Sequence, residues 1–276
     1  GEVHVPTTIA IAGKGGTGKT TVAALLIDHL ARLGIGTILA VDADPSTNLN
    51  LALGVEVEQT IGGEREEFME EVQSGRFSPG LDKQQYFQLK LHECLVETEH
   101  FDLLAMGRPE GPGCYCAPNH ILRRSMDALA GGYDFVVMDN EAGLEHLSRR
   151  TTRDVELLLV ISDPTVRGLI AARRVFDLVA ELGSRVNLAR LLVNRVPPGA
   201  DGQLQLAPEL TAKVEELQLP LLGLLPLDPH VADLDAAGQP LVRLPQDAPI
   251  RRQLVNLVSQ VLPVLAPLAA QAAAGS

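Results

Sequence analysis

The chain has 276 residues and a formal net charge of −12 at pH 7, from 35 Asp and Glu against 23 Lys and Arg. A surface this acidic repels phosphate backbones and anionic headgroups, and no basic patch opposes it, so neither nucleic acid nor membrane is expected as a partner. Hydrophobic residues make up 46% but aromatics only 3%, with no Trp, so the core must be aliphatic, which suits a parallel sheet covered by helices in one domain.

Apolar runs of strand length alternate with helical stretches along the chain. The first run, residues 8–12, stops at a glycine-rich loop, and residues 20–33 follow with helical spacing up to Gly34, a residue suited to a helix C-cap. Between them, Gly13-Lys14-Gly15-Gly16-Thr17-Gly18-Lys19-Thr20 satisfies the phosphate-loop pattern in its required strand-to-helix context. The glycines let backbone amides close around a β-phosphate, and the helix N-terminus adds partial positive charge. Lys19 can reach the β- and γ-phosphates, the Thr20 hydroxyl can ligate Mg²⁺, and Thr21 completes the nucleotide-binding set. The general pattern leaves the position of Lys14 open, so on the residues alone its amine is either solvated or functional.

A second strand is expected over 37–41, running into Val41-Asp42-Ala43-Asp44-Pro45. In an extended segment Asp42 and Asp44 share a face, where they would meet Mg²⁺ and an attacking water; Asp44 takes the water-positioning role. Loop aspartates capping the next helix are the alternative, stronger for Asp42 than for Asp44. Residues 56–73 are acidic and polar and read as a solvated helix or flap, with 56–97 as an insertion in the domain. A strand follows over 101–106.

Gly113-Cys114-Tyr115-Cys116 then places two thiols at i and i+2, on one side of an extended segment. A tetrahedral thiolate site needs four ligands, and a two-fold axis through the pair would supply two from each subunit. Soft thiolates suit Zn²⁺, Ni²⁺, Cu⁺ or an iron-sulfur cluster, and ordinary structural cysteines remain the other reading. Cys94 has no near partner and reads as structural. With only three cysteines there is no disulfide framework, and a reducing, cytoplasmic compartment is expected.

After a helix over 119–129, residues 135–138 form a strand ending at Asp139, placed to hold Mg²⁺ through water. Further strands are expected over 157–161, 191–193 and 221–225, with helices over 166–182, 208–217 and 249–264. This βαβ alternation predicts a doubly wound α/β fold, a mostly parallel sheet with helices on both faces and ligands beyond the strands' carboxyl ends. Asn194 follows one strand, where similarity to other nucleotide-binding proteins implies an asparagine beside the purine, and Pro226 with Asp228, after another, would form the rest of the base pocket. The guanine pattern Asn-Lys-x-Asp is not met, since Arg195 and Pro197 stand in its second and fourth places. ATP is therefore favoured over GTP.

Lys14 directly after Gly13, together with Asp139-Asn140-Glu141-Ala142-Gly143, resembles the deviant phosphate loop and Asp-x-x-Ala-Gly switch of the MinD/ParA/nitrogenase-iron-protein ATPases. The resemblance implies an ATP-dependent homodimer in which Lys14 reaches the partner's nucleotide, and a switch at Asp139, Ala142 and Gly143 that senses the γ-phosphate. With Cys114-Tyr115-Cys116 and Gly143-Leu144-Glu145-His146 added, the chain resembles the CooC family, ATPases that mature nickel carbon monoxide dehydrogenase. That implies Ni²⁺ held by Cys114 and Cys116 of two subunits, with ATP hydrolysis driving insertion into carbon monoxide dehydrogenase or acetyl-CoA synthase. Zn²⁺ should bind the same cage in vitro.

The nitrogenase iron protein and its reductase relatives place a second cysteine shortly after the switch aspartate. This chain carries His146 there, read as a structural residue or as a group near the metal, so an electron-transfer role loses a ligand. A MinD- or ParA-like positioning ATPase should carry a basic amphipathic C-terminal helix or exposed basic residues, and neither is evident.

Overall fold

A computed structural model describes residues 5–75, 82–107, 124–140, 155–181 and 186–265. Its centre is an eight-stranded sheet in the order β3-β4-β2-β5-β1-β6-β7-β8. The strands are β1 (Thr7–Gly13), β2 (Ile38–Asp42), β3 (Leu95–Glu97), β4 (Asp102–Ala105), β5 (Phe135–Asp139), β6 (Val155–Ser162), β7 (Val186–Val196) and β8 (Leu221–Pro226). All neighbours pair in parallel except β3, which runs antiparallel to β4. From β1 the chain first winds toward β2 and β4, returns through β5, and then crosses to β6, β7 and β8. The winding reverses beside β1, and the crevice for a ligand in such a sheet opens at that reversal, beyond the carboxyl ends of the strands. The fold is the doubly wound α/β architecture expected from the sequence.

The core is aliphatic and two-sided. Ile9 and Ile11 of β1 face α1 (Lys19–Leu33), whose Leu25, Leu26, Ile27 and Leu30 are buried with them. Ala10 and Ala12 point the other way, toward α6 (Val166–Glu181) and its Leu169 and Ala172. Small residues on that face let the helix come close to the central strand.

Several boundaries differ from the sequence expectation for physical reasons. β7 begins at Val186 rather than 191. Its first half pairs only with β6, because β8 joins from Leu191 onward, so polar residues are tolerated there and break the apolar run. The helix expected over 249–264 is α9 (Pro249–Ser259), followed by a short 3-10 turn at Pro263–Leu265. Pro263 cannot donate a helical hydrogen bond and disfavours helix at the residue before it. The helix expected over 119–129 is α5, described over 124–130, and its first part lies outside the described residues.

The acidic stretch after residue 56 is more integrated than a solvated flap. It forms α3 (Ile61–Gln73), which buries Ile61 and Phe68 against the second core, and α4 (Lys83–Glu93), which buries Leu91. Lys90 bridges the two helices through Glu64 at 2.9 Å. The cap of α4 is readable in Asp82-x-x-Gln85: Asp82 Oδ1 accepts from the Gln84 and Gln85 amides at 2.8 and 3.0 Å. The three-residue edge strand β3 and the short helices α2 (Leu49–Leu53) and α8 (Pro229–Ala236) carry too little periodicity to be predicted. Between α6 and α8 lies α7 (Pro208–Glu216).

α9 packs against β8 and α1, burying Ile250, Leu254, Leu257 and Val258. Arg251, also buried, pairs with Asp28 of α1 and donates to the Leu244 carbonyl at 3.2 Å. Asp28 is shared with Arg32, at 2.8 Å, whose side chain is half exposed. The apolar face of α9 is thus committed to the core, and among the described residues no helix is long and apolar enough to cross a membrane. Removing Arg251 takes away the buried partner of Asp28 and leaves it only the half-exposed Arg32, and breaking a buried ion pair is strongly destabilising. Arg251→Ala should therefore cost about 3 kcal/mol in denaturant unfolding, whereas Arg32→Ala should cost under about 1 kcal/mol.

Candidate nucleotide site

The site is built where β1 meets α1. Gly13 closes β1 with φ +144°, and a Cβ there would lie 2.2 Å from the Ile161 carbonyl of β6, so only glycine lets the chain leave the sheet at this point. The loop then turns through exposed Lys14, Gly15 and Gly16. Thr17 is buried, its Oγ1 donating to the Lys14 carbonyl at 2.8 Å. Gly18 caps α1 in a left-handed conformation, φ +92°. Lys19 is buried, while Thr20 and Thr21 are half-buried at the helix start. Free amides at that N-terminus and a lysine among them form a cradle for an anion.

Asp139 ends β5 beside this cradle. Its Oδ2 accepts from Thr20 Oγ1 at 2.6 Å, and its Oδ1 is buried without a partner. Burial is the main reason its pKa is pushed up to about 7; Asp42 and Asp44 push the same way, while the Thr20 hydroxyl and the Lys19 charge pull it down. An orphaned, hard oxygen next to a threonine hydroxyl fits Mg²⁺, a cation that takes one or two protein oxygens and completes its shell with phosphate oxygens and water. Among the described residues no group of three or more His, Cys, Asp or Glu could hold a metal ion.

Asp42 and Asp44 both act on the Asp139 carboxyl but differ in setting. β2 ends at Asp42, so the two-residue alternation stops there. Asp42 is fully buried; its Oδ1 accepts from the Asp44 amide at 3.1 Å and its Oδ2 from the Leu49 amide at 2.9 Å. It therefore organises the loop between β2 and α2, in keeping with its capping alternative. Burial raises its pKa to about 6 against the opposing pull of those amides. Asp44 is half-buried in the following turn, where its Oδ1 accepts from the Ser46 amide at 2.8 Å.

On the other side of the loop, buried Asn194 donates Nδ2 to the Thr17 carbonyl at 2.9 Å and accepts from the Arg195 amide at 2.8 Å. Arg195 donates Nη1 to the Gly16 carbonyl at 2.8 Å. Sequence reading noticed Arg195 only as a mismatch to the guanine pattern; nothing in the sequence announces its backbone geometry. The Asp228 side chain is turned inward: its Oδ1 accepts from the His230 amide at 3.1 Å, and its Oδ2 from the Ile250 amide at 3.4 Å. It caps α8 and braces the start of α9, so a base contact in this region would fall to the backbone of residues 226–228. Pro226 and Asp228 line a cleft of about 1180 Å³, and Thr20 and Thr21 line another of about 580 Å³.

Cys114, Cys116, Ala142, Gly143 and His146 lie outside the described residues. Cys94 is a free, buried thiol, which burial pushes up to about 12, so it is neither a thiolate nor a ready ligand at neutral pH.

The sequence profile of the CobQ/CobB/MinD/ParA nucleotide binding domain matches residues 8–241. An uncharacterized ATP-binding protein of Methanocaldococcus jannaschii is 42% identical over 254 residues, covering 92% of this chain and 98% of that protein. The carbon monoxide dehydrogenase accessory protein CooC of Rhodospirillum rubrum is 31% identical over 248 residues, covering 83% and 87%. Among solved structures, the septum site-determining protein MinD of Pyrococcus horikoshii, complexed with Mg-ADP, superimposes with a TM-score of 0.64 at 23% identity, covering 96% of this chain and all of that one.

The raised pKa of Asp139 has a thermodynamic consequence. Folded, it titrates near 7 rather than 3.8, so between those values the unfolded chain has given up a proton that the folded one keeps. This group therefore lowers stability as pH rises from about 4 to about 7, at most by about 1.4 kcal/mol per pKa unit. Ligand-free Asp139→Asn should melt above the unsubstituted protein at pH 8, and the gap should close toward pH 4.

Proposed function

Because the chain belongs to the CobQ/CobB/MinD/ParA nucleotide-binding family and is an ATPase of the MinD/ParA class, we propose that it hydrolyses ATP to load nickel into a client enzyme. In this reading the loop amides and Lys19 bind the β- and γ-phosphates. Mg²⁺, when bound, neutralises charge on those phosphates, held by Thr20 Oγ1 and Asp139 directly or through water. Asp44 orients the attacking water, its rotamer fixed by the Ser46 amide. Lys14 acts across a homodimer, and Ala142 with Gly143 carries the loss of the γ-phosphate away from the site. Asn194 and the backbone at Pro226 to Asp228 receive the base.

The nickel assignment is carried by one observation: the Cys114-x-Cys116 pair occurs in a chain 31% identical to a carbon monoxide dehydrogenase accessory protein. Two thiolates from each of two subunits make a tetrahedral cage for the cargo. Carbon monoxide dehydrogenase, or the associated acetyl-CoA synthase, is then the client. A MinD-like positioning role is the second reading, favoured by a putative MinD of Mesostigma viride that is 30% identical over 86% of this chain. An iron-sulfur reductase is the third.

Metal titration separates the three. A chaperone should saturate at one Ni²⁺ per dimer with thiolate charge-transfer absorption, and Cys114→Ser or Cys116→Ser should abolish tight binding. A positioning ATPase would bind no nickel tightly and would sediment with anionic vesicles, while a reductase would contain iron and sulfide. Retention of one metal per chain by Cys114→Ser would sink the nickel reading.

Catalysis has its own test. Lys19→Gln should abolish ATP turnover, and Asp44→Asn should still bind ATP while losing most of its hydrolysis, because only water positioning is removed. Full turnover by Asp44→Asn would remove that residue from the mechanism.

A further inference from the structure

Arg195 sits at an irregularity. The pairing of β7 with β8 shifts register between Val193 and Val196, and within that bulge Arg195 adopts φ +60°, a left-handed conformation costly for any residue with a Cβ. The strand could end without this turn. What the turn achieves is aim: it sends the Asn194 and Arg195 side chains, two neighbours on one strand, toward the same short stretch of the phosphate loop. Asn194 Nδ2 takes the Thr17 carbonyl at 2.9 Å, and Arg195 Nη1 takes the Gly16 carbonyl at 2.8 Å. The Asn194 amide cannot flip, because its oxygen accepts from the Arg195 backbone. Nor can a side chain be placed at Gly18, where a Cβ would lie 2.3 Å from Asn194 Nδ2.

A trans peptide is planar, so its carbonyl and the following amide point in opposite directions. Holding the carbonyls of Gly16 and Thr17 toward β7 therefore turns the amides of Thr17 and Gly18 toward the inside of the loop. The Thr17 amide reaches the Lys14 carbonyl at only 3.4 Å, a long contact that an anion would readily replace.

We propose that Arg195 is a positioning residue for phosphate binding, acting with Asn194 to hold two consecutive peptide planes of the loop with their amides turned to the β-phosphate. The proposal rests on the nucleotide reading of the loop and assigns Arg195 a role in it that does not depend on the base. Arg195 is exposed, so its bond to Gly16 adds little to the stability of the fold. Its effect is preorganisation, felt when the anion binds.

The test uses the full chain and three variants, Arg195→Ala, Arg195→Gly and Arg195→Lys, with Mg-ADP, Mg-ATP and pyrophosphate as probes. Glycine relieves the left-handed strain, so Arg195→Gly should melt no lower than the unsubstituted protein, which separates positioning from folding. Arg195→Gly and Arg195→Ala should weaken ADP, ATP and pyrophosphate alike, by about tenfold, the value of one charged hydrogen bond. Arg195→Lys should recover part of that loss. Unchanged ADP affinity in Arg195→Gly overturns the proposal. So does a loss confined to ATP, which would mean direct contact with the γ-phosphate, or a loss that spares pyrophosphate, which would mean contact with the base. Failure of the unsubstituted protein to bind any of the three would instead overturn the nucleotide reading.

Discussion

The hydrogen bond from Thr20 to Asp139 joins the two halves of the site, and the surrounding structure is arranged to keep it short. Thr20 is set by α1, which Arg251 and Asp28 tie to α9, and Asp139 is set by a strand buried between β1 and β2. Strand register places Asp42 directly beside Asp139. Two carboxylates at adjacent buried strand ends repel each other, and the fold meets this differently at each. Asp42 receives two backbone amides, whereas Asp139 receives one hydroxyl and keeps a bare oxygen. The carboxylate with more hydrogen bonds builds a loop, and the one with a bare oxygen suits a cation.

The same economy appears in the core. β1 carries isoleucines on one face and alanines on the other, so the central strand can be packed deeply by α1 and approached closely by α6. β5 and β6 pair in parallel on either side of β1, so the carboxyl ends of the three strands meet at the crevice. Three of the 23 Lys and Arg residues, Lys14, Lys19 and Arg195, lie in or on the phosphate loop.

The phosphate loop, the seven central and flanking parallel strands, and Asp139 were legible because each depends on local pattern: glycines at fixed spacing, apolar runs, a carboxylate at the end of such a run. For Asp42 the sequence leaves two readings, metal-facing or loop-capping, because alternation holds only while the strand lasts and nothing in Val41-Asp42-Ala43 says where pairing stops; its bonds to the Asp44 and Leu49 amides are those of the capping one. Composition hides the burial of α3, expected only as a solvated helix or flap, and the existence of α4, since a few buried residues such as Ile61, Phe68 and Leu91 hold them among many charged ones. Arg195 was invisible for another reason. Its role comes from a bulge and a positive φ, which belong to the pairing of β7 with β8 and to no residue pattern.

The peptide unit between Asp139 and Asn140 has a further significance. Its carbonyl accepts from the Ala43 amide of the β2 loop at 2.9 Å, and its amide donates to the Ile11 carbonyl of β1 at 3.0 Å. One rigid plane thus serves as a crossbar between the segment that carries Asp44 and the strand that feeds the phosphate loop. Because the two bonds leave from opposite edges of the same plane, rotating it breaks both together. The loop that carries Asp44 and the strand that feeds the phosphate loop are therefore tied to one another through a single peptide plane, without any side chain between them.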